Sequence, residues 1–399
     1  MQETSRQKSV MKDYLRIFDI CAFYVQNDRW AKMFCIYLTI YHVFTFILMI
    51  NSFIIFIPDT DKMAVLFHHF TVLVDVAAHI LITYSYRPTI KRLIEGIYET
   101  HDYESELIDE FAAKVQDERL EKSKKVLKGN NFARFLTCIL LFLTGVSDRY
   151  VLKKTERFLL IPMVFFVSID TWTGYSLLLI WQFFGMIYAV CILFCIYDFL
   201  YLFYIKIITE FKILDYALST IKERAAEIKE LNEKKYNKTL DHKMGDYYEE
   251  SIKHCVIHHI QIISTFQSIR DAEKWIYFFG YAVNLGLLVC TGFTLVTDDV
   301  MLKVKFLVIM GINMVYAYFF FWMGQKMSDA SENILLTLHT ADWLDMPKKC
   351  RSTLHLIMTR TMKPLIVTSV EGTKITTENF MALVSAAYSY FNTVIQMKG

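Results

Sequence analysis

No CxxC pair occurs among the eight cysteines, Cys21, Cys35, Cys138, Cys191, Cys195, Cys255, Cys290 and Cys350, which sit mostly inside apolar runs. That excludes a zinc ribbon and argues against a disulfide scaffold. Charge is scarce as well, at 21% of residues, and 43 Lys and Arg against 41 Asp and Glu leave a net charge of only +2. So small an excess offers no electrostatic case for binding nucleic acid. The first thirty residues lack a short apolar core followed by a small-residue cleavage site, so no cleavable signal peptide is expected and the first apolar run is expected to insert itself. Ser-His-Asp order, a Gly-rich phosphate loop and HExxH are all missing from the sequence. The expectation is a protein that is not an enzyme and needs no metal or other cofactor.

What the chain has in quantity is apolar surface, 54% hydrophobic residues and 16% aromatic. A soluble domain of 399 residues has little use for that much. A bilayer core of about 30 Å needs roughly 20 apolar residues in a helix. Seven runs qualify, near residues 32–57, 64–86, 131–150, 176–204, 276–297, 304–325 and 376–397. The third is short, and the seventh is diluted by Ser, Thr, Asn and Gln. The fold class expected is therefore an all-α membrane protein with seven transmembrane helices.

Basic residues favour the cytoplasmic side. They crowd the segment after the second run (Arg87, Lys91, Arg92, Lys114, Arg119, Lys122, Lys124, Lys125, Lys128) and the one before the seventh (Lys326, Lys348, Lys349, Arg351, Arg360, Lys363, Lys374). The short connections at 58–63 and 298–303 hold one lysine each, and only 146–175 dilutes the bias. The N-terminus is thus expected in the cytoplasm and the C-terminus outside, the reverse of a G-protein-coupled receptor. The seventh run also has no NPxxY.

Between the fourth and fifth runs, Phe211, Leu214, Leu218, Ile221, Ala225, Ile228 and Leu231 recur every three or four residues, which predicts an amphipathic helix continuing the fourth span. It either packs on a partner element or lies as a solvated surface helix. The stretch NEKKYNKTLDHKMGDYYEE that follows is expected to be disordered. In KHCVIHHIQII, His254 and His258 share a helix face while His259 points about 100° away. One HxxxH pair suits a metal, but a di-iron membrane enzyme needs several such boxes and no second one occurs. Ile252, Val256, Ile260, Ile263, Phe266 and Ile269 give the same segment an apolar stripe, so the histidines are expected to flank the buried face of a helix.

Polar residues of the last run form a line. Ser385, Ser389, Asn392 and Gln396 are spaced four, three and four apart, with Thr393 on the edge of the same face. Such a line meets either another helix or water. In the second run Asp75 and His79 stand four apart, spacing for a structural polar contact or for a part in passing ligand binding to a gate.

The segment ADWLDMPKKCRSTLHLIMTRTMKPLIVTSVEGTKITTENFMALVSAAYSYFNTVIQ resembles the C-terminal signature of insect odorant receptors. The matching elements are Trp343, Lys348 with Lys349, Lys363-Pro364-Leu365, Thr377 with Phe380, and Ser389-Tyr390-Phe391. Cys255, Val256 and His259 fill the family's Cys-Val-x-x-His pattern before the fifth span, whereas His339 stands where the family has Tyr. The second cytoplasmic loop lacks the extra length of the shared co-receptor, so the likeness is to an odour-tuning subunit. The resemblance implies an odorant-gated, nonselective cation channel in the plasma membrane of olfactory neurons, assembled as a heterotetramer with co-receptor subunits. It divides the chain into 1–327, a cytoplasmic N-terminal segment and six-helix bundle with a ligand pocket and a long cytoplasmic loop at 205–275, and 328–399, a cytoplasmic anchor helix and the pore-lining last helix. The pore face would be Ser385, Ser389, Asn392, Thr393, Val394 and Gln396, narrowest at Thr393 and Gln396. Trp343 would belong to the subunit anchor. A small, volatile, hydrophobic ligand would sit among spans two, three, four and six, with Phe67, Phe70, Thr71, Phe142, Val146, Tyr150, Tyr175, Leu179, Met310 and Met314 as candidates. Aromatic and Met side chains suit such a ligand because they bury much area with few directional demands, and any helix bundle also packs with them. A gustatory-type channel, or a seven-helix receptor signalling through a partner protein, are the competing readings.

Overall fold

The structure is a computed structural model, and it describes residues 12–18, 28–57, 59–97, 99–150, 159, 161–165, 170–236, 243–295, 300–344 and 346–398. A helix at 12–18 (α1) precedes α2 (Asp28–Phe56), α3 (Thr60–Ser85), α4 (Arg87–Glu95), α5 (Glu106–Tyr150), α6 (Trp172–Ser219), α7 (Ile221–Tyr236), α8 (Met244–Leu295), α9 (Val300–Thr340), α10 (Lys348–Thr361) and α11 (Thr377–Lys398). Among the described residues the only bridge of β type joins Thr368 to Lys374.

Length explains the architecture. Helices α5, α6, α8 and α9 have 45, 48, 52 and 41 residues, which is roughly 60–80 Å each and about twice a bilayer core. Each therefore carries an apolar half and a long projecting half. Five described helices are apolar enough to cross a membrane, at Ile36–Ile55, Lys62–Ser85, Trp172–Ser219, Met244–Gly292 and Phe306–Thr340. The third and seventh expected spans are also helical, in α5 and α11. Along α2, Ile36, Ile40, Val43, Ile47 and Ile54 stay exposed, an apolar stripe that suits lipid and not water.

The connection at 205–275 is helical over most of its length, as the expected amphipathic helix requires: α6 runs on to Ser219, turns at Thr220 and gives way to α7 and then α8. Phe211, Leu214, Leu218, Ile221 and Ala225 are almost wholly buried there, so the amphipathic segment packs, its α6 part among α5, α8 and α9 and its α7 part on α8. The stretch expected to be disordered is helical at 232–236 and again at 244–250, while 237–242 lie outside the described residues. Burial of Tyr247 with Ala225 and Ile228 draws both flanks into one cluster.

One core runs along the projecting half of α6, centred on Phe199, Phe203, Tyr204, Phe211 and Leu214. Helix α5 packs along α6, α3 along α8, and α9 against α6 and α8. The short α1 closes it with Tyr14 and Phe18 fully buried, and the Tyr14 hydroxyl donates to the Ser123 carbonyl at 2.8 Å.

Candidate functional site

Helix α11 turns its apolar side inward, where Leu383 is buried and the Phe380 ring meets Tyr318 and Phe321 at 5.4 and 5.8 Å. Its neighbours are α8 and α9. The polar line faces the other way: Ser385, Ser389, Thr393 and Gln396 are exposed and Asn392 is half-buried. Thr393 Oγ1 donates to the Ser389 carbonyl at 3.0 Å, satisfying itself on its own helix. The Val394 side chain lies outside the described residues. A polar face turned away from its own bundle at membrane depth needs water or another protein chain, because lipid leaves it unsatisfied.

The approach to α11 is fixed by backbone contacts. Leu365 N donates to Ser331 Oγ at 3.1 Å, and Ile375 N to the Val367 carbonyl at 2.9 Å. Gly372 makes the intervening turn at φ +88°, a conformation that side chains resist. At Gly324 on α9 an added Cβ would stand 2.5 Å from the Ile375 carbonyl, so only glycine lets this segment come so close.

Behind α11 lies a narrow cavity of about 70 Å³ reached by five helices. Asp75 and His79 of α3, Tyr197 of α6, Asn284 of α8, Asn313 of α9 and Leu383 of α11 are among its walls. His79 Nδ1 lies 2.7 Å from the Asp75 carbonyl oxygen and 3.0 Å from its Oδ1, so the pair expected from the sequence forms on buried side chains. Asn284 donates to the Gly280 carbonyl at 2.7 Å while its Oδ1 has no partner.

None of the seven ligand candidates whose side chains are described lines that cavity. Phe67 is exposed, and Phe70 rests on Phe46 and Phe53 of α2 at 5.4 and 5.8 Å. Thr71 donates to the His68 carbonyl at 2.7 Å, with its methyl group against Gly286. Tyr175 is buried beside Trp172 at the start of α6, and Leu179, Met310 and Met314 are half-buried. Phe142, Val146 and Tyr150 lie on α5 with side chains outside the described residues.

In the projecting half, the histidine segment has its own explanation. His258 is buried, with Nδ1 2.7 Å from the Tyr103 hydroxyl and Nε2 3.0 Å from Glu210 Oε2. Both ring nitrogens are thereby occupied within the protein, leaving none for a metal ion. His258 and His259 lie on the buried face and do not flank it, while Ile260, expected inside, is exposed. Arg224, wholly buried, donates to the Ala217 and Ser251 carbonyls at 2.7 and 3.2 Å and covers the Tyr103 ring at 5.1 Å. Trp343 is half-buried against the core, its indole donating to the Leu338 carbonyl at 2.7 Å.

His101 stacks on His258 at 5.3 Å, and burial, with the neighbouring imidazoles, pushes its pKa down to about 4. The sign follows directly. The unfolded chain takes up a proton near 6.5 and the folded chain does not, so stability held above 6.5 is lost as pH falls toward 4. Thermal unfolding in detergent should show a larger drop between pH 7 and pH 5 for the wild type than for His101→Gln. Equal drops would clear His101 of any part in it.

Sequence reasoning missed two buried ion clusters. Glu210 faces Lys206 at 3.5 Å, and Lys206 also donates to the Glu99 carbonyl at 2.5 Å. Asp198 accepts from Asn130 at 2.6 Å and pairs with Arg134. The four-residue spacing of Lys206 and Glu210, and a lone acid inside FCIYDFLYLF, were the available signals.

The family model of the 7tm odorant receptors matches residues 62–388. Among curated relatives, Odorant receptor 10 of Aedes albopictus is 26% identical over 137 residues, 33% of this chain and 36% of that protein. Odorant receptor Or2 of Anopheles gambiae is 23% identical over 152 residues, 38% and 40% respectively. The aligned parts thus span well under half of those relatives. Among solved structures, the insect olfactory receptor OR5 from Machilis hrabei in complex with eugenol superposes with a TM-score of 0.76 at 13% identity, covering 98% of both chains. A second structure of the same receptor gives 0.70 at 12%, again over 98% of both. These likenesses show the fold, a seven-helix all-α membrane bundle, and the match across most of the sequence shows that the chain belongs to the insect odorant receptor family.

Proposed function

We propose that the chain is the odour-tuning subunit of a ligand-gated, nonselective cation channel in the plasma membrane, with the N-terminus cytoplasmic and the C-terminus outside. The observation that carries this reading is the orientation of α11, whose hydroxyl and amide line is exposed, along with Met381, Tyr388 and Tyr390, while Phe380 and Leu383 are buried. One such helix cannot enclose a pore, so the face calls for other subunits around an axis, here a tetramer with co-receptor chains. Neutral lining groups give weak selection among cations. Residues 328–399 form the anchor and pore unit, with Trp343 in the anchor, and residues 1–327 hold the ligand.

The ligand is a small, volatile, hydrophobic molecule in an outer pocket near Phe70, Thr71, Tyr175 and Met310; the similar Machilis hrabei receptor is in complex with eugenol. At about 70 Å³ the inner cavity is too small for that role. It suits transmission instead, since Asp75 and His79 of α3 share it with Leu383 of α11. A ligand that shifts α3 changes what Leu383 packs against, and so the constriction near Thr393.

Whole-cell recording tests this. Cells expressing the chain with an insect odorant co-receptor should give fast cation current under a volatile panel with G-protein signalling blocked. Gln396→Ala should change the reversal potential or the block by channel blockers. Responses that vanish under G-protein block and ignore Gln396→Ala would sink the channel reading.

A further inference from the structure

A pocket of about 660 Å³ opens between α8, α10 and the segment that leads to α11. Arg270 and Lys274 of α8, Arg360 of α10 and Lys363 line it, and no acidic side chain is among its described walls. Asp271 lies 3.9 Å from Arg270 Nε and 3.8 Å from Lys274 Nζ, one carboxylate shared between two cations. Arg360 donates to the Lys363 carbonyl at 2.8 Å, which holds its fork in place without neutralising it. The site therefore keeps a substantial positive charge. Apolar side chains share the lining: Phe266 and Leu365 are buried, Ile366 is half-buried and Leu356 is exposed.

Position narrows the ligand. Lys274 is followed at once by Trp275, 43% exposed, then Phe278 and Phe279, so the pocket stands where α8 enters its apolar run. Exposed Trp beside Lys and Arg marks a membrane interface. Cations and apolar side chains lining one pocket fit a phosphorylated headgroup with the start of its acyl chains, whereas a free phosphate needs no apolar contact.

We infer that this pocket binds an anionic phospholipid of the inner leaflet, of the multiply phosphorylated inositol class. The leaflet rests on the orientation proposed above; the pocket itself does not. Bound there, the headgroup ties Arg360 and Lys363 to α8, and Leu365 is fastened to Ser331 of α9. The lipid thus braces the segment that positions α11.

The test uses the full chain in detergent and a fluorescent short-chain phosphatidylinositol bisphosphate, titrated at two salt concentrations. Wild type should bind it with marked salt dependence, and Arg360→Gln/Lys363→Gln should weaken binding on the order of thirtyfold. Arg360→Lys/Lys363→Arg, which keeps both charges, should retain most of it, and Lys229→Gln/Lys234→Gln on α7 serves as the control. If the glutamine pair fails to fold, Arg270→Gln/Lys274→Gln reads the other wall. Equal binding by wild type and both glutamine pairs overturns the site. Equal binding of soluble inositol trisphosphate makes it a phosphate site and overturns the lipid assignment. Sidedness is read separately by protease protection of an epitope in 237–242, so a wrong orientation and a wrong pocket give different results.

Discussion

Replacing Asp198 with leucine is expected to cost about 3–5 kcal/mol and to remove most of the protein from the cell surface. Asp198 is wholly buried in the apolar stretch of α6, and its partners both come from α5. Asn130 donates to one carboxylate oxygen at 2.6 Å, and Arg134 pairs with the other while lying 5.5 Å over the Phe194 ring. Without the carboxylate, a guanidinium remains against the membrane side of the bundle with an aromatic face and no counter-charge. Arg134→Leu should cost less, because Asn130 still serves Asp198 and a carboxyl can shed its charge by protonating. Arg134→Met/Asp198→Leu, which removes both ions together, should recover much of the loss. Thermal unfolding in detergent and surface biotinylation read all three variants. An Asp198→Leu protein that melts with the wild type would mean that the pair is solvated and does not join α5 to α6.

Spans were legible because burial in lipid demands length and hydropathy, both local properties of the chain. The polar line of α11 was legible for the same reason: Ser385, Ser389, Asn392 and Gln396 declare their shared face by spacing alone. What spacing could not reveal was which side of α11 its neighbours cover, and that decides between a packing seam and a pore face. Partnership across helices was equally invisible. Asp198 and Arg134, or Tyr103 and His258, are far apart in sequence, and no periodicity links them. The spacing of Phe211, Leu214, Leu218, Ile221 and Ala225 declared a helix within 205–275, but which neighbouring helices cover that face was not in the sequence. Similarly, Asp148-Arg149-Tyr150 spells a triplet that coupled receptors carry at their third helix. The orientation proposed here puts it at the outer end, away from any G protein, so as a motif it misleads.

The second large effect concerns Glu210, where the histidine segment meets α6. Its carboxylate faces His258 Nε2 at 3.0 Å and Lys206 Nζ at 3.5 Å, all three side chains being buried. Glu210→Leu should destabilise the projecting half by about 3–5 kcal/mol, since it leaves an ammonium held only by carbonyl oxygens and an imidazole nitrogen with no partner. The carbonyls of Ile97 and Glu99 already bond Lys206 at 3.4 and 2.5 Å and cannot stand in for the lost charge. Lys206→Met is the informative counterpart. It removes the cation but leaves Glu210 hydrogen-bonded to His258 Nε2, so no ammonium is stranded and its cost should be the smaller of the two. In Lys206→Met/Glu210→Leu the stranded cation is gone, and the double variant should be more stable than Glu210→Leu alone. A favourable coupling of this sign, measured as a double-mutant cycle by thermal unfolding, would show that charge compensation holds α6 to α8. Strict additivity would instead mean that the two side chains act independently, and the helices would then be joined by the apolar contacts of Phe211, Leu214 and Ile262 alone.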